Sequence, residues 1–124
     1  MLVRRVLHNA GYRFRLHRKD LPGRPDLSFP ARCAVIQVHG CFWHQHAGCP
    51  KAHVPKSREE YWVPKFARNT ERDQDNERRL VKLGWRVLVI WECELADLDM
   101  VKQRAACFLG PPGKQALLGS SNPA

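Results

Sequence analysis

The sequence predicts an α/β fold, a small mixed sheet flanked by helices, and three observations carry that expectation. Arg86-Val87-Leu88-Val89-Ile90-Trp91 is the strongest strand candidate, and Ala34-Val35-Ile36-Gln37-Val38 is a second apolar run of strand length. Helical periodicity separates these two runs and recurs towards both ends of the chain. From Val38 to Cys49, two cysteines, three histidines and an aromatic pair fall within twelve residues, a density that packing alone does not require and that points to a structural metal.

Composition bounds the rest. The 124 residues suffice for one hydrophobic core, so residues 1–109 are read as a single domain and residues 110–124, rich in Pro, Gly and Ser, as a disordered tail. Twenty-one Lys and Arg against twelve Asp and Glu give a formal charge of +9. Most of the basic residues are Arg, whose planar fork suits phosphate, so nucleic acid is the expected partner. No apolar run approaches a membrane span and no signal-peptide pattern opens the chain, which implies a cytosolic protein with no membrane partner. Five cysteines, an odd number interleaved with histidines, fit metal ligation in a reducing compartment better than a disulfide framework.

In order, Val3, Val6, Leu7 and Ala10 fall at helical spacing, and Gly11 makes a C-terminal stop. Tyr12-Arg13-Phe14-Arg15-Leu16 alternates apolar with basic and reads as a strand with one wet face, able to present Arg13 and Arg15 to phosphates. Leu21-Pro22-Gly23-Arg24-Pro25 is a turn by composition, followed by Asp26 and the short segment Leu27-Ser28-Phe29, which should form a hairpin with residues 34–38. Ser57-Arg58-Glu59-Glu60 has the capping-box form and should start a helix, with Pro64 kinking or restarting it. Its inward stripe is expected to run through Trp62, Phe66, Asn69, Asp73, Leu80 and Leu83, with Gly84 closing the helix. Asp73 on that stripe needs a hydrogen-bonding partner, for which a histidine is the natural candidate, or else a solvent-facing position beside Arg72. Residues 97–108 read as a last helix.

Two chemistries follow. Cys41, His46 and Cys49 stand in a C-x4-H-x2-C arrangement that one tetrahedral zinc can occupy, and Cys93, just past the strongest strand, is the best candidate for the fourth ligand. The competing reading is buried free thiols. Separately, Asp26 at a strand start and Gln37-Val38-His39 on the next strand have the layout of a restriction-nuclease core, in degenerate form: Gln37 stands where a second acid is usual and His39 where a lysine is usual. Asp26 offers one hard oxygen to Mg²⁺, and His39 and His44 can supply proton transfer or charge neutralisation.

Leu21-Pro22-Gly23-Arg24-Pro25-Asp26, Val38-His39-Gly40-Cys41-Phe42-Trp43-His44, Asn69-Thr70-Glu71-Arg72-Asp73, Leu83-Gly84-Trp85-Arg86-Val87 and Trp91-Glu92-Cys93 together resemble the very short patch repair (Vsr) endonucleases, in order from about Arg4 to Cys93. The resemblance implies a restriction-endonuclease-like fold with a structural zinc, and a Mg²⁺-dependent enzyme that nicks double-stranded DNA 5′ of the thymine of a T·G mismatch. It implies that Asp26 holds Mg²⁺ with the main-chain carbonyl of Val38, that His44 is the general base oriented by Asp73, and that His39 assists at the phosphate. It assigns zinc to Cys41, His46, Cys49 and Cys93. It makes Phe42 and Trp43 a wedge beside the mismatch, supported by Trp62. A monomer is expected, with mismatch-repair proteins as candidate partners.

The resemblance also implies an acidic residue on the N-terminal helix, and alignment through Gly11 puts it one position before Met1, so the chain reads as truncated at its N-terminus relative to the family. Two function classes follow: a nicking enzyme, and a zinc-stabilised DNA-binding module of the same fold with little turnover. Asp26, His44 and Asp73 together favour the enzyme; the missing acid favours the binder and implies impaired nicking. A zinc-dependent base deaminase is discouraged, because His44 is followed two residues later by His46 rather than Glu.

Overall fold

A computed structural model describes residues 2–112 of the chain. Helix α1 (Leu2–Asn9) leads through Gly11 to strand β1 (Arg15–Leu16), then β2 (Leu27–Phe29), β3 (Ala34–His39), helix α2 (Glu59–Lys82), β4 (Arg86–Trp91) and helix α3 (Leu98–Leu109). The four strands form one sheet in the order β1-β2-β3-β4, antiparallel between β1, β2 and β3 and parallel between β3 and β4. The sheet is therefore mixed and helix-flanked, as its sequence implies. The parallel step requires a long crossover, and α2 fills it. Among the described residues no helix is long and apolar enough to cross a membrane.

Alternation along the strands sends successive side chains to opposite faces. One face receives Leu27, Phe29, Ala34, Ile36 and Ile90, which pack with Val3 and Leu7 of α1 and with Val101, Ala105 and Leu109 of α3 into the main core. The other face carries a smaller cluster of Leu21, Val35 and Leu80, with Trp85 and Val87 against it.

Several local expectations change. The first strand is only two residues long: Tyr12 is buried and meets the ring of Phe29 edge-on, but Leu16 is exposed, and His17 turns into a left-handed conformation with φ 46° that ends the pairing. The capping box at Ser57 does not form. Arg58 is the N-cap instead, left-handed at φ 67°, and its carbonyl accepts from the N–H groups of Tyr61 and Trp62. Helix α2 runs through Pro64 without a restart, because in the second turn the ring deprives only the Glu60 carbonyl of its helical donor. Leu83 is not part of the inward stripe: it is the C-cap and 62% exposed, while Trp85, brought round by Gly84, packs against the smaller cluster instead. Gly84 itself does close the helix, at φ 95°, with Gly84 N–H to the Val81 carbonyl and Trp85 N–H to the Leu80 carbonyl, the paired bonds of a Schellman motif.

The end of α3 is anchored to the core side. Tyr12 donates to the Gly110 carbonyl at 2.5 Å, and Arg32 donates to the carbonyls of Leu109 and Pro111. The fold thus extends past residue 109; residues 113–124 of the expected tail lie outside the described residues.

Candidate active site and metal centre

The α2 side of the sheet leaves a cavity of about 210 Å³ between the 21–26 turn, the C-terminal half of β3, Val87 and Val89 of β4, and the polar stripe of α2. Asp26, Val38, His39, His44 and Asp73 all line it. Asp26 is half-buried just before β2, and its Oδ2 accepts from the Val38 N–H at 2.7 Å, so the turn is locked to β3. In an extended strand the N–H and C=O of one residue point to the same edge, so the Val38 carbonyl also faces the Asp26 side rather than β4.

The loop after β3 folds back on itself through His44 N–H to the Gly40 carbonyl and His46 N–H to the Cys41 carbonyl. This brings His44 Nδ1 to 2.5 Å from Asp73 Oδ2 on α2. The carboxylate accepts, so it holds the hydrogen on Nδ1 and leaves Nε2 as the basic nitrogen. The imidazole of His39 stacks on that of His44, centroids 4.0 Å apart and planes 6° from parallel. Burial first, and His44 next, hold the His39 imidazole below its usual pKa, against the opposing pull of Asp73 and Asp26, so His39 is neutral at pH 7. These three side chains lie close enough to suggest a metal site, with their ligand atoms within 4.8 Å of one another. Stacking argues otherwise: lone pairs in two parallel ring planes cannot converge on one ion at about 2.1 Å.

A different group does converge. Cys41, His46, Cys49 and Cys93 bring one ligand atom each to within 4.8 Å of one another. His46 Nδ1 is 3.7 Å from Cys41 Sγ and 3.5 Å from Cys93 Sγ, and its ring stacks on Trp91 at 4.2 Å. Desolvation, and then the neighbouring Cys41 and Cys49 thiols, push Cys93 up to about 11, whereas the Lys51 backbone N–H lowers Cys49. A divalent ion would reverse the resistance of Cys93 to ionisation. These four residues form a possible Cys/His metal site that ties the loop to the end of β4.

The profile of the DNA mismatch endonuclease Vsr family matches residues 1–51. A type II nicking enzyme, V.XorIIP of Xanthomonas oryzae pv. oryzae, is 56% identical over 109 residues, covering 88% of this chain and 79% of that protein. The nicking enzyme V.NmeAIP of Neisseria meningitidis is 41% identical over 104 residues, 84% of this chain and 74% of that protein. The DNA mismatch endonuclease Vsr of Escherichia coli K12 is 43% identical over 100 residues, 81% of this chain and 64% of that protein. The chain belongs to the Vsr DNA mismatch endonuclease family. It is a DNA endonuclease, a hydrolase of phosphodiester bonds.

In this Vsr-family chain the aromatic residues form a graded cluster beside the cavity. Phe42 is half-buried and meets Trp62, Phe66 and Trp43 edge-on at 5.0–5.5 Å. Trp43 is 49% exposed, with its carbonyl held by the Asn69 side chain. Trp62 stacks on Phe66 at 5.6 Å and stands behind both loop rings.

Four residues beside the site do not figure in the sequence reading as site residues. Asn76 and Glu77 line the cavity, and Asn76 follows from the helical spacing 69, 73, 76, 80 once Leu83 is removed from the stripe. His17 Nδ1 stands 3.7 Å from Asp26 Oδ1, because Leu16 pairs with Leu27 and the next residue therefore faces Asp26. That register is not written in local composition. Arg24 also lines the cavity and is taken up below.

Proposed function

We propose that the chain nicks double-stranded DNA at T·G mismatches by Mg²⁺-dependent hydrolysis, with His44 as general base. The observation that carries this reading is the His44–Asp73 pair at 2.5 Å in the same cavity as Asp26. Relatives are named as a DNA mismatch endonuclease and as nicking enzymes, which supports the substrate and the single-strand outcome.

In this reading His44 Nε2 takes the proton of the attacking water, and the Asp73 carboxylate stabilises the imidazolium that forms. Neutral His39 hydrogen-bonds at the phosphate, its ring fixed by stacking on His44. Asp26 Oδ1 and the Val38 carbonyl are two hard oxygen donors, a set that fits Mg²⁺, with phosphate and water as its remaining ligands. When bound, Mg²⁺ supplies positive charge to the phosphoryl oxygens. Trp43, backed by Phe42 and Trp62, opens the base step next to the mismatch, where unstacking costs least.

The second ion is proposed to be Zn²⁺, held by Cys41, His46, Cys49 and Cys93. Zn–S near 2.3 Å and Zn–N near 2.05 Å put the S···N edge of a tetrahedron at about 3.6 Å, and the two measured edges are 3.7 and 3.5 Å. A full set of four protein ligands leaves no open position, so this ion has a structural role.

The test uses an end-labelled duplex carrying a single T·G pair beside a matched T·A control. Nicking of the T·G strand in Mg²⁺, abolished by chelation and by Asp26→Ala or His44→Ala, is expected. Equal cleavage of matched duplex, or cleavage that survives His44→Ala, refutes the assignment.

A further inference from the structure

We infer that Arg24 is a further catalytic residue, whose guanidinium contacts the scissile phosphate and takes up negative charge developing on its non-bridging oxygens; this deepens the reading of the same site and rests on it. The starting point is backbone conformation. Arg24 has φ 47°, in the left-handed region that favours glycine, and it directly precedes Pro25, where the proline ring restricts the backbone towards extended conformations. Gly23, at φ 76°, is also left-handed, and a Cβ there would lie 2.9 Å from the Asn76 side-chain nitrogen, so the turn is pressed against α2. The Arg24 N–H closes the turn on the Leu21 carbonyl at 3.1 Å. Locally, Gly or Asn suits position 24 better than Arg.

Strain of this kind persists where the side chain has a use. Of the five non-glycine residues with positive φ among the described residues, Arg24 is the one that lines the cavity shared by Asp26, His39, His44 and Asp73. Arg58, also left-handed, rests its guanidinium over the Tyr61 ring at 4.9 Å. Arg24, by contrast, has no ion-pair partner and no side-chain hydrogen bond among the described residues. The cavity is therefore lined by the acidic residues Asp26, Asp73 and Glu77 and by the exposed Arg24, whose side chain is uncommitted. A phosphodiester completes that arrangement: it brings the negative charge that Arg24 lacks, and the fork of five N–H donors matches two phosphoryl oxygens. Chemistry adds a reason. Asp26 is the one carboxylate in the proposed Mg²⁺ ligand set, so a fixed positive group aimed at the phosphoryl oxygens supplements it in the transition state.

The experiment separates charge from backbone. Arg24→Gly and Arg24→Asn both suit φ 47°, so each variant should melt at or above the wild-type temperature. Single-turnover nicking of a T·G duplex in Mg²⁺ should nevertheless fall about 10²-fold or more in both, while the Kd for the same duplex in EDTA, read by fluorescence anisotropy, shifts by less than about fivefold, as for loss of one phosphate contact. Arg24→Lys should recover part of the rate. Nicking within about threefold of wild type in Arg24→Gly overturns the inference, as does a loss of rate fully accounted for by weaker binding. A lowered melting temperature in both variants shows that the arginine serves the turn and overturns it too. A wild-type chain that binds but nicks no duplex overturns the functional reading itself, and this inference with it.

Discussion

Replacing Asp73 by asparagine removes one charge and almost no volume, which makes it the sharpest test of the proposed base. In the wild type the carboxylate lies 2.5 Å from His44 Nδ1, and both side chains are about a quarter exposed. When His44 accepts a proton, a full positive charge forms with its centre roughly 4 Å from the carboxylate. At an effective dielectric near 20 that pair is worth about 4 kcal/mol, and partial solvent access cuts the figure to about 2–3 kcal/mol. At about 1.4 kcal/mol per decade the single-turnover rate should fall about 10²-fold. The ground state loses much less, so melting should change by under about 1 kcal/mol and duplex affinity by no more than about threefold. The double variant Asp73→Asn with His44→Ala should be no slower than His44→Ala alone, since Asp73 acts through the imidazole. A rate for Asp73→Asn within threefold of wild type, or a further loss in the double variant, refutes the reasoning.

Other perturbations separate recognition from folding. Trp43→Ala removes a ring that is 49% exposed, so it should leave the melting temperature almost unchanged yet remove the preference for T·G over matched duplex in competition binding. Phe66→Ala, at a position 4% exposed behind Phe42 and Trp62, should cost about 3–5 kcal/mol in denaturant titration. Gly84→Ala meets no neighbouring atom but forces φ 95° on a residue with a side chain, and should destabilise the protein by about 1 kcal/mol in the same titration.

Much of the fold was legible because its strong elements are locally consistent. The apolar runs at 34–38 and 86–91 form the parallel pair, and the helix read at 97–108 forms as α3, with Asp97 accepting from Met100 N–H. The Cys/His cluster was legible because four soft ligands have few other reasons to gather. What failed depends on distant geometry. A capping box at Ser57 satisfies every local rule, yet Arg58 takes the cap. Leu83 is in phase with the α2 stripe, but it is the exposed C-cap, and Trp85 packs against the smaller cluster instead. The approach of His17 to Asp26 needs the β1–β2 register, and Arg24 lies in a motif whose composition announces a turn without saying which side chain the turn presents.

The two faces of the sheet also differ in how they are held, and that difference makes a last prediction. On the α1 and α3 side, eleven buried residues make one continuous core. Beneath the C-terminal half of α2 the buried cluster is Leu21, Val35 and Leu80, because the helix spends inward positions on Asp73 and Asn76 at the cavity, while Asn69 holds the Trp43 carbonyl. That cluster reaches only the C-terminal half of the 24-residue helix, so its N-terminal half is fastened separately, through Phe66. The fastening is the 41–49 loop, whose Phe42 packs on Trp62 and Phe66 and whose Cys41, His46 and Cys49 share the proposed zinc site with Cys93 beyond β4. Chelation of that ion, or Cys93→Ser, should therefore loosen the protein unevenly. Hydrogen exchange followed by mass spectrometry should speed up in residues 40–56 and the first half of α2, while α1, α3 and β3 keep their protection. Elemental analysis should find one zinc per chain in the wild type and less in the variant. Uniform loss of protection across both faces would mean that the metal holds the whole fold, and unchanged exchange in the loop with full metal content would mean that Cys93 is not a ligand.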